Sequence, residues 1–280
     1  MKKFILALVM LVFPSLAMAS PRARVQAEDK IPEMTAKNTV VLRGEVTSSS
    51  ISRVIRQINE SSEKELYLFI TSPGGSIIAG NQLVYLLKTT EKKITCVANI
   101  AVSMAFVILQ ACENRVVLPH AIVMQHVASY GLRGEAPNNL SRVKFLHRMI
   151  RQMDEAQAKR IGMSYKEFKS KIRNDWWLFG DESVKSNVAD RVGTVKCSPE
   201  LTKSRIKEKV QVFIFTINVV WSGCPLVEYP VKIGDEETVK RIAETPGAAS
   251  ALENLLKGYR VRDMVMEWFE TGRNPFAFNH

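Results

Sequence analysis

From Thr39 onward, β-branched apolar runs alternate with segments of helical period, and few folds accommodate that alternation. "TVVLRG" is strand-like, "SSSISRVIRQINESS" sets Ile51, Val54, Ile55 and Ile58 at helical spacing, and "ELYLFITS" is a continuous apolar run. The series continues through the helical "SIIAGNQLVYLLKTT", the buried strand "KKITCVANI", the short buried helix "SMAFVILQAC" and the paired strand material "NRVVLPHAIVMQH". Strands apolar throughout and separated by helices belong to a largely parallel sheet covered by those helices, an α/β architecture. A long helix follows in "NNLSRVKFLHRMIRQMDEAQAKRIG", with Leu140, Val143, Leu146, Ile150 and Met153 on one face, and Ser164 with Glu167 forms the capping box of another.

Upstream, Lys2 and Lys3 precede a short apolar stretch, and Ala17-Met18-Ala19 precedes Ser20. This is the pattern of a Sec-type export signal cleaved after Ala19, so the mature chain is expected in a periplasm or outside the cell, soluble and without a stable membrane span. An uncleaved N-terminal anchor is the alternative. Residues 1–19 are thus expected to be the signal peptide, 20–38 a flexible tail, 39–199 the main domain and 200–280 a small α+β extension of unassigned role. The formal charge is +11, and part of the basic excess lies between residues 138 and 175. No aromatic-interleaved basic stripe accompanies it, which reads as a solvated helical face rather than a nucleic-acid surface.

Sites in such sheets form where strands end and helices begin, and two junctions stand out: Thr71 to Ser76 and Asn99 to Met104. In "ANIAVSMAF", small residues end an apolar strand and Ser103 stands at a helix N-terminus, where amides are unpaired. A hydroxyl there is placed to attack a carbonyl while the Met104 amide and a glycine amide of "SPGG" bind the oxyanion; an ordinary helix N-cap is the plainer reading. A nucleophile needs a base, and the histidines are His120, His126, His147 and His280. His126 closes the strand "AIVMQH" on the same rim. No metal or other cofactor is expected: His120 and His126 lack a carboxylate or cysteine at ligand spacing, and the four cysteines contain no C-x-x-C pair.

With these residues in order, the chain resembles the proteolytic subunit of the Clp protease, within the crotonase-like fold, from about Thr39 to Val195. "LYLFITSPGGSIIAGNQLVYLL" is similar to the family's oxyanion-glycine segment, "AVSMAF" to its nucleophile turn, "LPHAIVMQH" to its histidine strand and "NDWWLFGDESVKSNVADRVG" to its aspartate segment. The resemblance implies a ββα-repeat core with a protruding handle helix, Ser103 as nucleophile, His126 as general base, Asp175 as the carboxylate that orients it, and Gly75 and Met104 as oxyanion amides. It also implies homo-oligomeric rings that stack through the handle. The chain departs from the family at Asn99 and Ala105, where glycine is usual, at Val102, where alanine is usual, at Val127, and at Trp176 and Trp177. An ATPase partner is not expected, because an exported protein meets no ATP.

Two readings from different classes follow: an exported, ATP-independent serine peptidase acting on peptides or unfolded polypeptides, and a catalytically silent scaffold or binding module. A Ser-Lys mechanism like that of the signal-peptide peptidases, drawing on Lys88, Lys92 or Lys93, is a further alternative. Four cysteines in an oxidising compartment suggest the pairs Cys96–Cys112 and Cys197–Cys224, with buried free thiols as the alternative. Beyond residue 200, "KVQVFIFTINVVW" and "PLVEYPVKI" read as two strands, and "DEETVKRIAET" and "ALENLLKGYRVRDMVMEWFETG" as helices.

Overall fold

A computed structural model describes residues 32–273; the expected export signal, residues 20–31 of the expected tail, and His280 lie outside it. The end of that tail is not loose. Glu33–Met34 forms a short strand, β1, that pairs in parallel with Lys196–Cys197, and Met34 is wholly buried. A two-residue strand has little propensity of its own, and burial of Met34 in the main apolar core fixes it.

The alternation then unfolds in order. Thr39–Arg43 is β2, Ser48–Glu60 is α1, Glu65–Ser72 is β3, Ile77–Thr89 is α2, Lys93–Val102 is β4, Met104–Ala111 is α3 and Asn114–Gln125 is β5. Helix α1 is capped by Thr47 and buries Ile51, Val54 and Ile58, the positions its period marks. Strands β2 to β5 are parallel neighbours in that order, because each helix carries the chain back to the same end of the sheet. The long helix α4 spans Ala136–Ile161, and α5, Tyr165–Ile172, begins at the Ser164–Glu167 capping box. Trp176–Phe179, β6, closes the sheet antiparallel to β5; α6 is Glu182–Lys185, and Arg191–Val192, β7, pairs with the other end of β5. Lys196–Cys197 is β8.

Only the base of α4 is embedded. Asp154, Gln157, Ala158 and Ile161 are buried, whereas Val143, Leu146, Ile150 and Met153 are half-buried and Leu140 and Phe145 are 57% and 55% exposed. The helix therefore projects from the core with an apolar flank uncovered.

After α7, Pro199–Lys203, the chain forms β9, Arg205–Val212, and β10, Phe215–Ser222. "KVQVFIFTINVVW" is thus a hairpin rather than one strand, turning at Phe213–Ile214 with Phe213 at φ 55°. Two-residue hairpin turns favour glycine or asparagine, so no residue type announced it. The expected strand "PLVEYPVKI" contracts to β11, Lys232–Ile233. Helix α8 is Glu236–Glu244, and the expected final helix breaks at Arg260 into α9, Ala248–Tyr259, and α10, Val261–Thr271. The hairpin, α8 and α9 bury their own cluster around Val212, Ile217, Val219, Trp221 and Ile242. Helix α10 does something else: Val261, Val265 and Trp268 pack on Ile100, Val102 and Met124, the face of the sheet turned away from the main core.

This region is fastened to the sheet domain. Cys197 and Cys224 are joined by a disulfide with Cα atoms 5.7 Å apart, and Cys96 and Cys112 by another at 6.0 Å. The Arg43 guanidinium lies 4.5 Å over the Trp221 ring and donates to the carbonyls of Pro225 and Val227; burial pulls its pKa down to about 10. Arg53 pairs with Glu208 at 3.1 Å.

Candidate active site

Parallel pairing of β4 and β5 brings Ser103 and His126 together. Val102 lies opposite Met124, and the Ser103 amide donates to the Met124 carbonyl at 2.9 Å, so the residues following the two strands share one rim. The Ser103 Oγ and His126 Nε2 are 2.8 Å apart. Ser103 has φ 56° and ψ −119°, a conformation that costs a non-glycine residue on the order of 1–3 kcal/mol and that recurs at functional turns. Its hydroxyl makes no N-cap bond, so the capping reading does not describe it.

The glycines of "SPGG" are steric requirements. A Cβ on Gly74 would lie 2.7 Å from the Ser103 Cβ and 2.9 Å from the Met104 nitrogen; one on Gly75, at φ 137°, would meet the Val46 carbonyl oxygen at 2.6 Å. The Val46–Gly75 bridge is made by the Val46 amide to the Gly74 carbonyl and the Ser76 amide to the Val46 carbonyl, which leaves the Gly75 amide facing away. Met104 is the first residue of α3, where an amide has no intrahelical acceptor. Neither the Gly75 nor the Met104 amide has a partner among the described residues, and both residues line the same cleft as Ser103 and His126.

That cleft has a volume of about 410 Å³ and is walled by Ile77, Ile78, Val107, Leu146, Met149 and Met153, with Glu45 and Asp154 as its acids. Burial raises the pKa of Glu45. Burial also raises that of Asp154, against the opposing pull of Lys169, whose Nζ donates to it at 2.9 Å. The base of α4 is tied to the histidine strand by Gln125, which donates to Gln157 at 2.6 Å and accepts from the His126 amide at 3.1 Å.

A model of the Clp protease family matches residues 22–196. The chain belongs to the Clp protease family. Among curated Clp relatives, it is 28% identical over 179 residues to the "ATP-dependent Clp protease proteolytic subunit 3" of Rhodococcus jostii (strain RHA1), covering 61% of this chain and 89% of that protein. It is 30% identical over 138 residues to the "ATP-dependent Clp protease proteolytic subunit" of Oltmannsiellopsis viridis, covering 48% of this chain and 71% of that protein. The Clp match stops one residue before Cys197, so β9, β10 and helices α8 to α10 all lie beyond it.

Asp175, implied by the resemblance to orient the imidazole, meets it through its charge. It has φ 49° and acts on His126 as a nearby charge that raises the imidazole pKa, but among the described residues no hydrogen bond joins the two. Burial is the larger influence and holds His126 below its ordinary value. What abuts the imidazole is Trp268 of α10, edge-on with ring centroids 5.0 Å apart. Of the two tryptophans beside Asp175, Trp176 packs toward Phe106 and Phe168 on the main core side, and Trp177 packs against Trp268 and Phe269 on the other.

The lysines of the Ser-Lys alternative are elsewhere. Lys92 donates to the Ser61 and Glu63 carbonyls, Lys93 pairs with Glu65, and Lys88 lines a separate depression beside Gln110. His147 meets the Tyr130 hydroxyl at 3.0 Å on α4. Two participants escape sequence reading, Glu45 in the cleft and Trp268, and so does the role of Asn99, which links Thr71 to Glu228 and Arg262. Their signal is tertiary contact.

Proposed function

We propose that this protein is an exported serine peptidase that hydrolyses peptides or unfolded polypeptides without ATP. The observation that carries the reading is the 2.8 Å contact between Ser103 Oγ and His126 Nε2, in a cleft lined by Gly75 and Met104, whose amides have no partner among the described residues. Ser103 attacks the scissile carbonyl as His126 takes its proton; the two amides bind the oxyanion, and His126 returns the proton to the leaving amine. Water then attacks the acyl-enzyme with His126 again as base. Asp175 contributes a negative charge that stabilises the imidazolium. The relatives' names carry ATP dependence; the proposal parts from them on the export signal expected at residues 1–19 and on four cysteines paired in two disulfides, which suit an oxidising compartment.

Assembly into rings through α4, with its exposed Leu140 and Phe145, belongs to the same proposal, and no ATPase partner does. The lack, among the described residues, of a hydrogen bond between Asp175 and His126 favours a second reading, a silent scaffold that keeps the fold. The deciding experiment incubates purified mature protein with a fluorophosphonate probe, then with a fluorogenic peptide, unfolded casein and a stable folded protein, each with and without ATP. Labelling of wild type but not Ser103→Ala, with ATP-independent cleavage of the first two substrates, is expected; no labelling and no cleavage would leave the scaffold.

A further inference from the structure

Something must hold the His126 ring in line with Ser103, and no hydrogen bond from Asp175 reaches it among the described residues. Helix α10 reaches the imidazole instead. Trp268 is 2% exposed, and its ring meets that of His126 at 5.0 Å and 86°. Around it, Val102 directly precedes Ser103, and Met124 lies two residues before His126; both share a buried cluster with Val261, Val265 and Trp268. The helix is fixed a second time at the serine strand. Arg262 binds Glu228 at 2.8 and 3.1 Å and donates to the Asn99 Oδ1 at 3.0 Å. Asn99 stands where the pairing of β4 shifts register, between Ala98 and Ile100, and such bulges re-aim the residues after them. One helix beyond the Clp match therefore grips both strands that end in the site.

We propose that Trp268 is a positioning residue, through which the C-terminal helix holds the His126 imidazole against Ser103. The inference rests on the reading of Ser103 and His126 as nucleophile and base. Among charged groups around the ring, Asp175 acts on it directly. Asp154 in the cleft is paired with Lys169, Arg262 with Glu228, and Asp263 with the Tyr229 hydroxyl, while Glu45 lines the cleft and Glu267 and Glu270 are exposed. Burial is what depresses the imidazole, so admitting water at position 268 moves its titration upward.

The test compares wild type, Trp268→Leu and Trp268→Phe by fluorophosphonate labelling rate and by NMR titration of His126, assigned with His126→Gln. Trp268→Leu is expected to label on the order of 100-fold more slowly, the effect of a misplaced base. Its His126 midpoint should move to higher pH, and Trp268→Phe should restore both. In wild type the Trp268 indole signal should follow the His126 titration and lose its pH dependence in His126→Gln, a readout that needs no stable variant at 268. An indole signal indifferent to His126, or an unmoved midpoint in folded Trp268→Leu, overturns the proposal. Failure of wild type to label overturns the peptidase reading alone, because both titrations still report on the contact.

Discussion

The sheet domain and the C-terminal region build their parts of the site by different means. In the sheet domain, backbone does the work: strand ends in parallel register, glycines at 74 and 75 that keep Cβ atoms out of tight space, and a serine at φ 56°. In the C-terminal region, side chains do it: an indole against an imidazole, a guanidinium bridging a carboxylate and an amide, and a disulfide to Cys197. Backbone devices leave local marks in a sequence because only some residues tolerate them. Side-chain docking leaves few, because almost any residue fits a helix face until its neighbour is known.

This contrast breaks first at the rim. Ser103→Ala and His126→Ala are each expected to lower peptide hydrolysis by on the order of 10⁴-fold or more, with circular dichroism and oligomer size unchanged. Gly74→Ala should cost on the order of 10²–10³-fold on the proposed mechanism, because the added methyl displaces the Met104 amide and Ser103 together. Full activity in Gly74→Ala would show that the backbone account is wrong.

Next comes the fastening. Replacing Cys197 and Cys224 by serine should lower stability by about 2–4 kcal/mol in urea unfolding and increase proteolytic nicking beyond residue 200. An unchanged midpoint would mean that the polar and aromatic contacts suffice. Arg262→Ala, which leaves Glu228 without its cation where both side chains are about a quarter exposed, should cost about 1–2 kcal/mol, well under the penalty for a fully buried pair.

The smallest effect concerns charge. His126 must be neutral to act, and its folded pKa lies below the ordinary imidazole value, so kcat/KM should rise with pH along a limb centred below about pH 6.5. Asp175 raises that pKa; Asp175→Asn should therefore move the limb to lower pH. A limb moved to higher pH would contradict the electrostatic account, while a rate loss approaching 10⁴-fold would indicate a tautomer-setting hydrogen bond made during turnover.

Much of the sheet domain was legible because its constraints are periodic: Ile51, Val54 and Ile58 mark one helix face, and "ELYLFITS" can only be a buried strand. Ser103, the glycine pair and His126 were legible because strand ends in a parallel sheet share a rim. The Phe213–Ile214 turn was hidden by residues that suit strands, and the break at Arg260 by a continuous helical period. Glu33–Met34 reads as part of a tail because two residues have no period at all. Asn99 looked like a substitution for glycine and is the point where Glu228 and Arg262 take hold.

The pairing of Glu33–Met34 with Lys196–Cys197 has a bearing on how the molecule comes into being. The two strands are the first and last of the sheet domain, so no early, local event can join them. A chain that emerges N-terminus first must leave Met34 wet until nearly all of the sheet domain has followed it, and parallel pairings between distant segments form slowly. Core closure and the approach of Cys224 to Cys197 then fall in the same late interval.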